Sequence, residues 1–405
     1  MNVYFHTFGC KANQYDTEVV RQAFADQGAV VVEDPAAADL AVVNSCTVTH
    51  ESEAKLRRLV RRVSRAGRAE TIVMGCAAAL DGGAIAALPS VRAVVANADP
   101  TMVLRAAGLA PRAQVGAQHA APLHQHGRHR ALLKIQDGCD EHCTFCATTL
   151  ARGANRSRGV AALVAEARAL AEHHAEIVIT GVHIGTYGVN PPEQSLGHLL
   201  ERLIEAVPGV RFRLSSVEAT EVDDTLAHLL IEAPRHVAAH LHAPLQSGSN
   251  RVLKRMGRHW YTAESYRARI EWLAERLPVF ALGADVIAGF PGETEDDHHA
   301  SITLLNALPF TYLQVFPFSV RPGAAAAKLP GQLTPVLIDT RARELRELGE
   351  AKARAYRAAR AGQRADGVVS GRVGGRVDVL TEDYLSVYLP TDRWDGRPRF
   401  DLIVD

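Results

Sequence analysis

The sequence predicts an α/β protein in series: an N-terminal doubly wound parallel sheet, a central partial (βα)6 barrel, and a short C-terminal all-β tail. Three observations predict it. Short β-branched runs alternate with helical patterns from residue 2 to about residue 318. Such alternation is the mark of parallel sheets with crossover helices. Beyond residue 366 the helical pattern gives way to short alternating strands without helices between them. Finally, 405 residues with 47% apolar and 22% charged content suffice for two or three domains that fold without disulfide staples. The expected divisions are 1–108, a linker at 109–130, 131–330, a helical extension at 331–362 and the tail at 363–405.

Composition narrows the setting. The formal net charge is zero, so any nucleic-acid footprint must be local. Arginine outnumbers lysine 39 to 6 within the 45 basic residues, a bias that suggests genome composition more than function. No apolar run approaches the roughly 18 residues of a membrane span. The opening Met1-Asn-Val-Tyr-Phe-His lacks a basic region followed by an apolar core, so no secretory signal is expected. The default location is the reducing cytoplasm, where clustered cysteines favour metal or redox chemistry over disulfides.

Residues 2–5 read as the first strand, ending at Gly9-Cys10. A helix fits 17–27, with Asp16 as N-cap and Gly28 at its end. Strands follow at 29–32, 40–44 (ending at Cys46), 71–74 (ending at Gly75-Cys76) and 91–95. Ligands bind beyond the carboxyl ends of such strands, and Cys10, Cys46 and Cys76 all fall at that edge. A lone cysteine there reads as a small core residue. Three at one edge, with no other cysteine in the domain, point to a shared metal site. Between Cys46 and Cys76, residues 55–68 place Leu56, Leu59, Val60 and Val63 at helical spacing and arginines over the remaining positions. That basic face is either a solvated surface or a phosphate contact.

Residues 109–130 carry prolines, glycines and four histidines (119, 124, 126 and 129) without apolar periodicity, as a linker would. From residue 131 the alternation becomes regular. Strands are expected at 131–136, 176–180, 210–215, 240–245, 280–288 and 312–318, and helices at 160–173, 196–206, 223–233, 263–277 and 295–308. In parallel barrels chemistry sits at the C-terminal strand ends. There the chain places Gly181, Glu218 and Gln246, the glutamate reading equally as a structural cap or as a ligand.

After the first of these strands comes Cys139-Asp-Glu-His-Cys143-Thr-Phe-Cys146. Zinc would normally want a fourth ligand, and paired CxxC units are its commoner signature; His142 is the alternative fourth ligand, awkwardly adjacent to Cys143. Three thiolates on one loop can instead hold three irons of a 4Fe–4S cluster and leave the fourth iron open.

This segment resembles the CxxxCxxC motif of radical S-adenosylmethionine (SAM) enzymes, and the likeness extends to the methylthiotransferases of that superfamily. Phe8-Gly-Cys-Lys-Ala-Asn-Gln-Tyr-Asp-Thr-Glu18, Asn44-Ser-Cys-Thr-Val-Thr49 and Gly75-Cys76 resemble the family's N-terminal cluster motifs. Ala151-Arg-Gly153, Arg156-Ser-Arg158, Leu214-Ser-Ser-Val-Glu218, Leu241-His-Ala-Pro-Leu-Gln-Ser-Gly-Ser249, Asp285-Val-Ile-Ala-Gly-Phe-Pro-Gly-Glu-Thr294 and Arg321-Pro-Gly323 resemble those of its radical SAM domain. Lys11-Ala12 stand where the isopentenyladenosine branch more often has Gln-Met and the ribosomal-protein branch Pro-Lys. The closest likeness is therefore to the enzymes acting on N6-threonylcarbamoyladenosine in tRNA.

The resemblance implies two 4Fe–4S clusters. One, on Cys139, Cys143 and Cys146, would cleave SAM to a 5′-deoxyadenosyl radical; the other, on Cys10, Cys46 and Cys76, would hold the sulfur. It further implies methylthiolation of adenine carbon 2 next to the anticodon, with the tRNA anticodon loop and an electron donor such as flavodoxin or ferredoxin as partners, and no membrane. Their placement at strand ends makes Gly181, Glu218 and Gln246 the expected contacts to SAM. Thiolation of isopentenyladenosine or of a ribosomal protein is the same-class rival, and a zinc-dependent RNA-binding module the rival of another class.

Residues 337–362 read as one long exposed helix, and strands are expected at 368–373, 376–380, 384–389 and 400–404. The tail resembles a small RNA-binding TRAM domain. It is short, however, with six arginines against eight acids over 363–405. The expectation is that it packs structurally while 55–68 and 152–158 carry more of the RNA contact.

Overall fold

The structure, a computed structural model, describes residues 1–47, 50–111, 125, 128–189, 194–321 and 323–405. The greater part of the linker expected at 109–130, with its histidines 119, 124 and 126, lies outside the described residues, as do Val48, Thr49 and Pro322 of the quoted motifs. The chain divides into two compact units. The first comprises Met1–Gln125, Asp137–Glu141 and Cys146–Arg156; the second comprises His126–Gln136, His142–Phe145 and Ser157–Asp405.

In the first unit five parallel strands lie in the order Val30–Val32, Asn2–Thr7, Leu40–Ser45, Glu70–Gly75, Val91–Ala96. The helices Lys11–Ala25 and Pro100–Ala106 bury Val20, Phe24, Val103 and Leu104 against one face. The helix His50–Ala66 buries Leu56, Leu59, Val60 and Val63 against the other. The sheet is doubly wound, and its order reverses between the strands that end before Cys10 and Cys46. Such a reversal opens a crevice at the carboxyl edge.

One boundary departs from expectation. The first helix starts at Lys11 rather than after Asp16, with Cys10 extended at its N-cap (φ −77°, ψ 176°). The Asp16 carboxylate does not cap; it is buried inside the helix and ion-paired with Arg152.

In the second unit two parallel three-stranded sheets hold Ala131–Lys134, Glu176–Thr180 and Arg211–Leu214, then His240–His242, Ala281–Ala288 and Phe310–Pro317. Parallel bridges Phe212–Val237 and Ser216–His242 join them, so six strands follow one another in chain order. The helices Val160–Ala171, Leu196–Ala206, Asp224–Glu232, Ala263–Ala274 and Glu295–Ala307 fill the crossovers close to the expected bounds. Thr294 and Asp297 cap the last of them reciprocally.

The helix Pro335–Arg360 is less exposed than its composition suggests. Ala342, Leu345 and Gly349 are buried, and a Cβ on Gly349 would sit 3.0 Å from that of Leu313. The tail forms an antiparallel sheet in the order Ser386–Pro390, Arg376–Thr381, Arg364–Val373, Arg399–Ile403. It is fastened to the barrel by charge. Arg211 and Arg213 are fully buried and straddle the equally buried Glu176, with Arg211 Nε 2.7 Å and Arg213 Nε 3.1 Å from its carboxylate. Their outer nitrogens donate to the carbonyls of Leu380 (3.1 Å) and Thr381 (2.7 Å). Buried charges are tolerated when every donor is matched, and here the tail supplies the acceptors. Among the described residues no helix is long and apolar enough to cross a membrane.

Candidate functional site

The crevice of the first unit gathers Cys10, Cys46 and Cys76. Two glycines make the approach possible. Gly9 has φ +105°, and a Cβ there would lie 2.9 Å from the Cys46 Cβ; Gly75 has φ +94°, and a Cβ there would lie 2.1 Å from Asn44 Oδ1. Asn13, brought round by the early start of its helix, stands at the centre. Its Nδ2 donates to the carbonyls of Ser45 (2.9 Å) and Phe8 (3.2 Å), and Asn44 Nδ2 donates back to the Asn13 carbonyl at 2.8 Å. The thiols of Cys10 and Cys76 approach Asn13 Oδ1 at 3.5 and 3.8 Å.

Arg152 completes this arrangement from the segment Cys146–Arg156 of the same unit. Its guanidinium donates to Cys76 Sγ (3.3 Å), Asn13 Oδ1 (2.8 Å), Asp16 (2.8 Å) and Asp137 (2.8 Å). The side chain is only 7% exposed. Burial pushes the Cys76 thiol up, and Arg152 pulls it back. The donor set is three soft sulfurs with a cation hydrogen-bonded to one of them, which suits a thiolate-held iron–sulfur cluster, whose charge such contacts tune. Arg152 is therefore not a surface contact for RNA, contrary to the expectation for 152–158. Arg158 is likewise engaged, with Glu166 at 2.7 Å and the Lys134 carbonyl at 2.8 Å.

Cys139 and Cys146 also belong to the first unit. Cys139 N donates to the Gly153 carbonyl at 3.1 Å, and Gly138 (φ +72°) leaves no room for a Cβ, which would stand 1.9 Å from the Ala154 carbonyl oxygen. Cys146 Sγ accepts from Thr148 N at 3.3 Å, at the start of the helix Thr148–Arg152. In the second unit Thr144 N donates to the Met256 carbonyl at 2.8 Å, and Cys143 Sγ accepts from Arg258 Nη1 at 3.5 Å.

Arg258 leads to Glu218. The Glu218 carboxylate accepts from both Arg258 and the indole of Trp260, and Arg258 Nε donates to Tyr261 Oη at 3.0 Å. Burial raises the Glu218 carboxyl above its usual value, opposed by the guanidinium of Arg258. Glu221 Oε2 accepts from Glu218 N at 3.3 Å, and Glu221 Oε1 lies 2.7 Å from His183 Nε2. Among the described residues His183, Glu218 and Glu221 bring ligand atoms within 4.8 Å of one another. Glu218 is thus both the residue before a turn of 3-10 helix and a buried acceptor in a polar pocket.

Gly181 stands at the end of its strand, where a Cβ would meet the Gln136 carbonyl at 2.8 Å and Ile184 at 2.7 Å. The Gln136 side chain accepts from the next two amides, Val182 (3.0 Å) and His183 (2.9 Å). Gln246 is buried in a left-handed conformation (φ 61°), and its N–H donates to the Asp285 carbonyl at 2.8 Å.

Sequence reasoning missed Asn13 as the centre of the first triplet, and it missed Arg152, Arg258 and Trp260. Asn13 and Arg152 stood inside quoted motifs. Arg258 and Trp260 carry no pattern, because they reach Glu218 across 40 and 42 residues.

Comparison with known proteins bears on these sites. The uncharacterized protein family UPF0004 matches residues 2–96, and the radical SAM superfamily matches residues 133–305. The chain is 37% identical over 370 residues to the threonylcarbamoyladenosine tRNA methylthiotransferase MtaB of Bacillus subtilis, covering 87% of this chain and 81% of that one. It is 33% identical over 405 residues to the Aquifex aeolicus protein of the same name, covering 96% of each. Among solved structures, the radical SAM methyltransferase TsrM from Kitasatospora setae aligns with a TM-score of 0.61 at 14% identity over 80% of this chain and 75% of that one, a likeness of fold.

Proposed function

The chain belongs to the radical SAM tRNA methylthiotransferases, and we propose that it places a methylthio group on carbon 2 of N6-threonylcarbamoyladenosine beside the anticodon. The observation that carries this reading is the gathering of Cys10, Cys46 and Cys76 around Asn13 at the crevice of a doubly wound sheet, in a chain that also carries Cys139, Cys143 and Cys146. SAM and iron–sulfur clusters are the cofactors of such enzymes.

In this reading Cys139, Cys143 and Cys146 hold one 4Fe–4S cluster, and Cys10, Cys46 and Cys76 hold the other. When bound, the two groups supply the electron that cleaves SAM to a carbon radical and the sulfur that replaces hydrogen on the base. The chain's own part is placement. Arg258 and Trp260 fix the Glu218 carboxylate, whose remaining lone pairs accept from a SAM ammonium or ribose hydroxyl. Gly181 keeps the strand end bare, and Gln246 lies at the end of a neighbouring strand. Asn13 and Arg152 set the spacing and charge around the first triplet.

The tRNA anticodon loop presents an unstacked base that a pocket can take. Flavodoxin or ferredoxin would deliver the electron, in the cytoplasm. The domains run 1–108, 131–330, 331–362 and a TRAM-like tail at 363–405. Nucleoside mass spectrometry of tRNA from a deletion strain tests the reading: threonylcarbamoyladenosine should persist without its methylthio form, and retention of that form would refute the assignment. After anaerobic reconstitution about eight irons per chain are expected, whereas zinc in their place would favour an RNA-binding module.

A further inference from the structure

Beside the cysteine crevice, the first unit contains a cavity of about 450 Å³ between the strand Asn2–Thr7 and the helix His50–Ala66. His6 and Phe8 form its aromatic side; their rings meet edge to face with centroids 4.5 Å apart. Lys55, Arg58, Arg62 and Arg65 form its charged side. Lys55 is paired with Glu51 at 2.7 Å. Among the described residues no carboxylate lies within ion-pairing distance of Arg58, Arg62 or Arg65, and all three are exposed. Burial, with the adjacent Arg62, lowers the His6 pKa, so at neutral pH the ring offers an uncharged aromatic face.

We propose that this cavity binds a nucleotide of the tRNA substrate, with the base stacked on the Phe8 ring, the His6 ring bracing Phe8 edge to face, and the flanking phosphates on Arg58, Arg62 and Arg65. The proposal rests on the tRNA reading above and adds a binding site to it. Single-stranded nucleic acid is held by this pairing of aromatic platforms with a cationic track. A lone phosphate would need only the pocket. Here the charge continues along the helix through Arg57 and Arg61 to Arg68 just beyond its end, all exposed. From Arg57 to the helix end at Ala66, nine residues of helical rise span about 14 Å, a length suited to an extended polyanion. Phe8 is also fixed beside the sulfur-holding crevice, because its N–H donates to the Asn44 carbonyl at 2.9 Å and Cys10 follows two residues later.

The test uses the full-length reconstituted protein and unmodified tRNA, with affinity measured from about 50 to about 200 mM salt. The double variant Arg58→Ala/Arg62→Ala removes two phosphate partners at exposed positions. The slope of log K against log salt should flatten by about 1.4, or about 0.7 per contact for a single strand. Phe8→Leu keeps apolar volume and removes the aromatic face; it should weaken binding about fivefold or more with the slope unchanged. Cluster absorbance equal to wild type checks that the crevice beside Phe8 is intact, and the exposed arginine pair tests the cavity independently of it. If the wild-type chain binds tRNA and the arginine pair leaves affinity and slope unchanged, the cavity is not an RNA site and the tRNA reading survives. Failure of the wild-type chain to bind tRNA would remove both. Full displacement of tRNA by adenosine monophosphate would make the cavity a free-nucleotide site and overturn the proposal.

Discussion

Among the described residues two arginines donate to cysteine thiols, and their surroundings differ. Arg152 meets Cys76 at 3.3 Å while bound to Asp16, Asp137 and Asn13. Arg258 meets Cys143 at 3.5 Å while bound to one carboxylate, Glu218, and one phenol, Tyr261, with its guanidinium carbon 4.8 Å from the Trp260 ring centroid. The first triplet comes from three strand ends, 36 and 30 residues apart, so only the folded sheet and the Asn13 network set its spacing. The second comes from eight consecutive residues, whose spacing is largely covalent. A site assembled from afar needs a polar scaffold to hold its ligands in register. Arg258, beside Cys143 in the second unit, instead organises the pocket of Glu218.

Removing thiols breaks the comparison most sharply. Cys139→Ala should abolish SAM cleavage, whereas Cys76→Ala should still cleave SAM and yet transfer no sulfur. Each should hold about four irons instead of about eight. Iron analysis with SAM-cleavage and thiolation assays separates the two, and SAM cleavage by Cys139→Ala would overturn the division of labour.

Glu218→Gln comes next. It leaves Arg258 buried without its counter-charge and replaces the charged acceptor assigned to SAM with a neutral amide. Affinity for SAM, measured by equilibrium dialysis, should fall about tenfold or more, as for a hydrogen bond to a charged group. Because the carboxyl pKa is raised by burial, acidification neutralises this charged acceptor at a higher pH than for an exposed glutamate. Wild-type SAM affinity should therefore decline on acidification before the usual glutamate range is reached, and the Gln variant should be flat over that range.

Arg152→Ala should act on the other side alone. Loss of a cation beside Cys76 disfavours the reduced cluster, lowering its midpoint potential by on the order of 50 mV, or about one decade for a one-electron couple. Arg152→Lys should recover part of the shift, and SAM affinity should stay at the wild-type value. An unchanged potential in an EPR-monitored titration would reduce Arg152 to a structural tie. The smallest change is expected for Asp16→Asn, since Arg152 keeps Asp137. Its potential should move in the opposite direction and by less, because one negative charge near the cluster is gone.

Much of this protein was legible from local pattern. The strand Glu176–Thr180 and the helix Leu196–Ala206 run between the bounds that periodicity gives, and the basic helix His50–Ala66 buries the four apolar residues expected of it. Placement at strand ends pointed to the first triplet, and close spacing to the second. What misled was local chemistry with a distant purpose. Asp16 looks like an N-cap and is instead the ion partner of Arg152, 136 residues away. Arg211 and Arg213, two residues apart on one strand, are both buried beneath the tail's carbonyls, a role that only the distant tail gives them.

The sequence by itself determined which segments are strands and helices, which faces are apolar, and where thiols stand along the chain. These depend on neighbours a few residues apart. Tertiary structure alone decided which polar groups pair: Asn13 with two thiols, Arg152 with four partners, Arg258 and Trp260 with Glu218. Most of these hydrogen bonds join residues 40 to 139 positions apart and leave no period in the chain. Their partners are chosen only when folding excludes water and each buried donor must find an acceptor.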